Sequence, residues 1–451
     1  ISVKVYIDGT LTGTLHTGLA YGFRITPPEK PEDITTNPNS EKYFYAWFTD
    51  PNFQTPLLDT TEFRADGAIY AKWVTVYSND FRYTVSEGNA TIVSVTSSAT
   101  TTLVIPAYIN GFPVTTIGKD AFANNTFIRT LILCDGIQNI GVGAFSGCNS
   151  MTHVELPKSL TTIGEKAFQG CSTLPNISIP ENVTSIDNHA FSGCNNLKYT
   201  MYDNAYYLGN HDNPYYVLMM PVNKEIASVQ IHENTAIISS SAFSDCMGLT
   251  NIAIPNSVTN IGEKSFFGCY KLIEVINHSS LNITVGNEDY GYIGYYAKHI
   301  ITDKKDTYLT TDDNGYIFYD DGSNVYLMGY VETDTELVLP SASPKGKMYE
   351  IYQYAFRSCI GLTNITIPNS IASIAKGAFS GCSSLKSITL PFVGNCRKSA
   401  SDTYQYPFGY IFGTSSYAGG VATKQNYYES STSSITNSTY YIPRSLKSVT
   451  I

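Results

Sequence analysis

Apolar positions along most of this chain fall into one recurring phrase, Leu-x-x-Ile-x-Ile-Pro-x-x-Val-x-x-Ile-Gly-x-x-Ala-Phe-x-Gly-Cys. One full copy runs from Leu174 through Ile177, Ile179, Pro180, Val183, Ile186 and Phe191 to Cys194. Its Phe stands at 122, 145, 168, 191, 243, 266, 356 and 379, so five of the seven gaps are 23 residues and the other two are 52 and 90. A fixed period of this size predicts a solenoid, in which each unit buries its apolar face only against its neighbours. Within a unit, the alternation of Ile177 and Ile179 predicts a strand, and Pro180 ends it because proline has no N–H to give to a ladder. Val183 to Ile186 has the spacing of a second short strand or a tight turn, and Asn188 to Phe191 suits a single helical turn. Stacked units then place Phe over Phe and Ile over Ile.

The interruptions follow a pattern of their own. Pro106 to Phe122 and Pro340 to Phe356 both span 16 residues where ordinary units have 11, and polar turns at Glu87-Gly88 and Asp321-Gly322 stand 19 residues ahead of those prolines. Alternating runs flank both turns, which predicts a β-hairpin at each, and a third at Asp212-Asn213. Insertions fall at about 200–228, 278–336 and 396–441, the last rich in Ser, Thr and Gly and expected to be a mobile loop. Residues 1–73 lack the period. Short alternating runs separated by Pro27, Pro28, Pro31 and Pro38 predict a small separate β domain, with Trp47 and Trp73 in its core. The fold class is therefore mainly β, with residues 74–451 as the solenoid.

Composition narrows the function. Charged residues make up 15% and the formal charge is −10; no basic stripe is present, which argues against nucleic acid as a partner. No apolar run is long enough to span a membrane. The chain begins at Ile1 without a basic-then-apolar leader, as expected if a signal peptide has been removed, and it ends with Leu446, Val449 and Ile451 entering a new unit, which predicts a fragment of a longer protein. Seven of the nine cysteines follow the repeat Phe by three residues, and Asn125 takes that slot in the first unit. Like-pointing side chains on stacked rungs make poor disulfide geometry, so a reduced structural ladder is expected.

Catalytic and metal-ligating patterns are missing from the sequence. The histidines at 16, 153, 189, 211, 232, 278 and 299 form no HExxH and no Cys pairing at ligand spacing. Asp312-Asp313-Asn314-Gly315 and Asp320-Asp321-Gly322 lack the alternating carboxylates and closing Glu of a calcium loop and read as turns. Glu165, Glu263 and Lys264 read as a solvated charged row. No enzyme activity, cofactor or metal is expected. The tyrosines of the insertions are the candidate binding residues: Tyr206, Tyr207, Tyr215 and Tyr216, then Tyr292, Tyr295 and Tyr296, then Tyr406 and Tyr410. Tyrosine supplies large contact area at low entropic cost. The competing reading is that these rings pack their own hairpins.

The phrase IP-x-x-V-x-x-IG-x-x-AF-x-GC-x-x-L over residues 83 to 451 resembles the BspA-like leucine-rich repeat proteins. Cys134, Asn277, His232 and Ile374-Ala375 depart from it. Residues Ala20 to Pro28 (AYGFRITPP), Phe44 to Asp50 (FYAWFTD) and Ile69 to Trp73 (IYAKW) are similar to the Listeria-Bacteroides repeat of internalin-type surface proteins. That resemblance implies a β-grasp-like module over 1–73. Together the two imply a secreted or cell-surface bacterial protein that binds host or neighbouring-cell surface proteins, with glycan binding through the tyrosine insertions and a purely mechanical spacer as the alternatives.

Overall fold

The computed structural model describes residues 80–96, 101–187, 189–303, 306–397, 406–427 and 435–451, together with the backbone of strands between residues 2 and 77. It divides into two compact units, Ile1–Thr200 with Leu208–Tyr216, and Met201–Tyr207 with Val217–Ile451.

The first unit opens with a five-stranded sheet. Its order runs from Thr10–His16 through Ser2–Ile7, Gly67–Tyr77 and Ser40–Phe48 to Ile34–Asn37. Ser2–Ile7 and Gly67–Tyr77 are parallel and the other pairs antiparallel. Val3, Val5 and Ile69 are buried. The side chains of Trp47 and Trp73 lie outside the described residues. The predicted hairpin follows, Phe81–Ser86 pairing antiparallel with Asn89–Val95. Its turn residues Glu87 and Gly88 take φ of 52° and 78°, the left-handed values a two-residue hairpin turn needs.

Coiling then begins, and each coil has three sides. One side is the parallel ladder Thr102–Ile105, Thr130–Leu133, His153–Glu155, in register Leu103, Leu131, Val154. A second stacks Ile92, Ile117, Ile140, Ile163 and Ile186 in successive parallel strands. These isoleucines are all buried, as the period-2 alternation of a one-sided strand requires. Ile177 to Ile179 was expected to extend the first ladder, but no strand forms there. Pro175 explains it: Thr152 and His153 both donate to the Arg129 carbonyl one coil back, and proline at the position equivalent to Thr152 has no N–H to repeat the bond.

The third side corrects the expected helical turn. Two residues before and two after each Phe are left-handed (Asp120 and Asn124, Gly143 and Gly147, Lys166 and Gly170, His189 and Gly193), with φ between 53° and 76°. An α-helix cannot run through such residues. Instead the N–H groups of Phe145, Gly143 and Gly147 donate to Ala167, Glu165 and Gln169 of the next coil at 2.7 to 2.8 Å. This side is thereby hydrogen-bonded from coil to coil as the two ladders are, and each such bond contributes about 0.5–1.5 kcal/mol net.

Phenylalanine rings form the spine between these sides. Phe122, Phe145, Phe168 and Phe191 lie 5.2, 5.4 and 5.6 Å apart between centroids, with planes within 14° of parallel. Beside them runs the cysteine ladder. The thiols of Cys148, Cys171 and Cys194 donate to the Phe carbonyl of the preceding coil at 3.2, 3.3 and 3.1 Å. These thiols serve as buried donors to a backbone acceptor, which accounts for cysteine at this slot. Asn125, in the first coil, instead accepts the N–H groups of Phe127 and Ile128 at 2.9 and 3.2 Å. The glycine of Ile-Gly has a steric cause: a Cβ at Gly164 would lie 2.8 Å from the Ile140 carbonyl oxygen.

The second unit repeats these rules. Leu218, Ile238 and Ile261 form an inward column of the same kind. Asn251–Ile254, Glu274–Asn277 and His299–Ile301 are parallel neighbours. So are Glu336–Val338, Asn364–Thr366, Ser387–Thr389 and Ser448–Thr450. Phe243 stacks on Phe266 at 5.1 Å and Phe356 on Phe379 at 5.4 Å. Ala375, in a glycine slot, still donates to Ile351 at 2.9 Å. The hairpin at Asp321-Gly322 forms from Tyr316–Asp320 and Val325–Tyr330. At the third proposed hairpin, Ala205–Leu208 and Val217–Pro221 are sheet neighbours. The described residues of the expected mobile loop form regular structure: Gly420–Tyr427 and Thr436–Pro443 pair over eight residues, and Phe408–Phe412 is a 3-10 turn. The buried Tyr440 ring, packed on Gly409, pins that ribbon. Residues 398–405 and 428–434 of the insertion lie outside the described residues.

Candidate functional site

The coil spanning residues 278–301 breaks the Phe column. By the backbone bond Gly291 accepts from Phe266 (2.7 Å), it occupies the slot that holds Ala in other coils. Tyr290, Gly291 and Tyr292 are all left-handed, at φ 52°, 67° and 71°. Glycine is obligatory in the middle, because a Cβ there would fall 2.4 Å from the Gly262 carbonyl oxygen. Tyrosine in this conformation costs about 1–2 kcal/mol per residue, and such costs concentrate where a surface is shaped for a task. Its result is that Ile293 takes the interior, while the Tyr292 ring is set against Phe267.

From there six rings form a continuous belt. In order they are Phe267, Tyr292, Tyr295, Tyr296, Tyr270 and Tyr354, with successive centroids 5.3, 5.4, 4.9, 5.2 and 5.2 Å apart. The first four contacts are edge-to-face, the arrangement the ring quadrupole favours. The Arg357 guanidinium stands over the last ring, 5.5 Å from its centre. Several hydrogen bonds hold the belt. Tyr296 Oη accepts the Gly268 N–H at 3.1 Å, Tyr292 Oη donates to Glu288 at 3.3 Å, and Gln353 Nε2 donates to the Tyr270 carbonyl at 2.9 Å. Tyr354 is itself left-handed at φ 58°, and Gly377 clears room for its ring, since a Cβ there would meet Cε1 at 2.6 Å. Burial pushes the phenols of Tyr296 and Tyr354 above their ordinary range. Phe267 and Tyr295 remain 40% and 44% exposed and give the belt its accessible surface.

The structure sorts the tyrosines expected to bind. Tyr292, Tyr295 and Tyr296 come together in the belt. Tyr406 and Tyr410 form a separate cluster, 4.2 Å apart and joined by Tyr427. Tyr207 is wholly buried, its hydroxyl accepting the His232 N–H at 3.3 Å, and so serves the core. Tyr216 donates to the carbonyls of Glu181 and Val183 and ties residues 208–216 to the first unit. Tyr206 and Tyr215 are half-buried. Phe267, Tyr270 and Tyr354 escaped the sequence reading. They occupy ordinary repeat slots, and their signal is that no other repeat carries Phe, Tyr or Trp in the slot of Phe267, Tyr270 or Tyr354, the first holding Ser, Gln, Ala or Arg elsewhere, the second Asn, Ser, Thr, Met or Ile and the third Gly, Lys, Asp, His or Ser.

The carboxylates of the two Asp-rich turns are spent locally. Asp312 Oδ1 accepts the N–H groups of Asn314 and Tyr316, and Asp321 Oδ1 those of Ser323 and Asn324. Among the described residues no cluster of three or more His, Cys, Asp or Glu could hold a metal ion, and no helix is long and apolar enough to cross a membrane.

A stack of parallel coils with an inward aliphatic and aromatic ladder defines a leucine-rich-repeat type of solenoid. The family model of the BspA type leucine-rich repeat region matches in six copies, over residues 99–211, 222–291 and 340–406. That is more than half of the chain, and the chain belongs to this family of bacterial cell-surface repeat proteins. Among solved structures, it is similar to a leucine-rich cell surface protein of Faecalibacterium prausnitzii, with 23% identity, 69% of this chain and 81% of that one covered, and a TM-score of 0.36. A leucine-rich repeat protein of Bacteroides capillosus shares 34% identity over 25% of this chain and 87% of that one, with a TM-score of 0.24. The pneumococcal vaccine antigen PcpA shares 17% identity over 71% of this chain and 87% of that one, with a TM-score of 0.27. No curated protein matches the chain.

Proposed function

We propose that this chain is a non-enzymatic, extracellular adhesion module that binds surface proteins of host or neighbouring cells through the aromatic belt of its second unit, and that residues 1–73 act as a spacer module of the internalin-associated type. One observation carries the binding surface: six rings form one continuous belt, four of its five contacts edge to face and two of the rings exposed, with Phe267, Tyr270 and Tyr354 in slots where the other repeats carry no Phe, Tyr or Trp. Rigid aromatic rings that lose little entropy on docking are the usual anchors of protein interfaces. The low content of charged residues, 15%, fits a contact that is not steered by charge. The test is to probe the immobilised chain with extracellular protein fractions from host cells and bacteria, beside a glycan array. The double variant Phe267→Ser, Tyr295→Ser should lose protein capture while its melting midpoint stays unchanged. A control pair of exposed apolar residues, Val338→Ser and Met348→Ser, should keep it. Capture that survives the belt variant refutes the assignment, and a glycan hit lost in that variant moves it to sugars.

A further inference from the structure

The second unit contains a cavity of about 300 Å³ whose lining includes Lys271, Arg357, Glu225, Tyr330, Tyr354 and Cys359. It adjoins the end of the belt, but the inference does not depend on the belt being a binding surface. Lys271 is only 8% exposed, and its ammonium makes a single long hydrogen bond, 3.4 Å to the Ala355 carbonyl. An ammonium carries three donors. Gly329 leaves it room, because a Cβ there would lie 3.0 Å from Lys271 Nζ. Arg357 reaches the same cavity, and its Nε and Nη1 are buried without any hydrogen-bond partner. Glu225 also lines the cavity, but no salt bridge joins it to either cation.

Buried donors without partners are uncommon in native proteins, and a buried charge without one is costlier still. Here two cations share one cavity with unfilled donors, and burial pulls the Lys271 ammonium down to about 8 although the Glu225 carboxylate on the same cavity pulls it up. Tyr330, Arg357 and Cys359 are half-buried, which gives an ion a path from solvent. We propose that this cavity is a binding site for a small oxyanion, a phosphate or a short carboxylate, held by charge-assisted hydrogen bonds from the Lys271 ammonium and the Arg357 guanidinium. Such bonds are the strong ones, and a guanidinium's planar fork suits either oxyanion. The volume admits only a small ligand, and the half-buried Ile317 and Tyr354 in the lining lower the local dielectric around the two cations.

The test is calorimetric titration of the full chain with inorganic phosphate and, separately, with acetate, in a chloride-containing Hepes buffer at pH 7. Melting curves in the same solutions give a second readout. Saturable binding of at least one ion is expected, with a rise in melting midpoint. Lys271→Met and Arg357→Gln should each weaken it at least tenfold, while Lys224→Met, at an exposed lysine, leaves it unchanged. Which ion binds identifies the oxyanion. If Lys271→Met fails to fold, the half-buried Arg357 variant decides alone. Absence of saturable binding by both ions, or equal binding by wild type and both cavity variants, overturns the proposal.

Discussion

Phe168→Ala tests the spine directly. The Phe168 ring is wholly buried between Phe145 at 5.4 Å and Phe191 at 5.6 Å, with planes at 14° and 3°. Truncating a packed phenylalanine costs roughly 3–5 kcal/mol, and the amount depends on how far the surroundings can collapse into the hole. Collapse is prevented here, because Phe168 N–H is bonded to Ala190 at 2.8 Å and Phe145 N–H to Ala167 at 2.8 Å, which fixes the coil spacing. The loss should therefore lie in the upper half of that range. Each stacked pair adds about 0.5–1.5 kcal/mol beyond its area, so a Phe145/Phe168 double-mutant cycle should return a coupling of that size. His153→Ala is the control. Its side chain is 50% exposed, and such substitutions stay within about 0.5 kcal/mol. Urea unfolding followed by circular dichroism measures all five proteins, the wild type included. A Phe168→Ala loss below about 1 kcal/mol, or one equal to that of His153→Ala, would refute the stacked spine and the cavity reasoning with it.

Three further outcomes follow from the same geometry. Gly164→Ala should cost at least as much as a core truncation, since its Cβ meets backbone at 2.8 Å from Ile140 O and 3.0 Å from Gly141 C, whereas an alanine at Gly361, with no atom within 4 Å, should be tolerated; thermal melts compare them. Burial pushes the Cys148 and Cys246 thiols up to about 11 and about 12, so thiol labelling at pH 8 should be slow in the native chain and fast in denaturant; an unfolded thiol ionises near 8.5, and the stability these groups contribute is whole below that pH and lost as pH rises through their folded values. Lys271→Met should stabilise the chain in oxyanion-free buffer by up to about 3 kcal/mol at pH 7, the gap between about 8 in the folded chain and about 10.4 unfolded. Below pH 8 both states of Lys271 are protonated and the burial penalty is full. Between there and about 10.4 the folded amine is neutral while the unfolded one still binds its proton, so the gain from Met should fade, and a pH-independent gain would count against a buried charge.

The coils were legible because they obey one local rule many times over. Columns such as Ile117, Ile140, Ile163 and the four stacked rings from Phe122 to Phe191 follow from spacing alone, and the hairpins at Glu87-Gly88 and Asp321-Gly322 from turn chemistry. The Phe turn was misread as helical because helix and left-handed turn share an i, i+3 bonding pattern. Ser146 donates to Gly143 at 2.9 Å either way, and only the sign of φ at positions such as Lys166 separates them. Lys166 and His189 carry no sequence mark of that conformation. The ribbon Gly420–Tyr427 was hidden by Ser and Thr, which suit strands as well as loops. Tyrosine enrichment located Tyr292, Tyr295 and Tyr296 but could not separate them from the buried Tyr207, since burial depends on which face of a strand the hairpin register selects. Lys271 and Arg357 gave no signal at all. They lie 86 positions apart in the chain, and the two meet only because the hairpin Tyr316–Asp320 and Val325–Tyr330 folds between their coils.

A perfect solenoid is a poor recognition device, because a periodic surface offers a partner the same contact at every rung and fixes no single register. Specific binding on such a scaffold requires a place where the period fails. In the second unit the failures coincide. The coil of residues 278–301 moves its aromatic residue from the spine to Phe267, the hairpin brings Tyr354 to Tyr270, and the displaced slots leave Lys271 and Arg357 around a cavity. Each departure is costly for the coil in which it occurs, through left-handed tyrosines in one case and a buried ammonium in the other. Costs of that kind persist where the surrounding structure holds them in place and function uses them. The spine's regularity supplies that support, so the stable columns on either side are what permit the irregular segment between them.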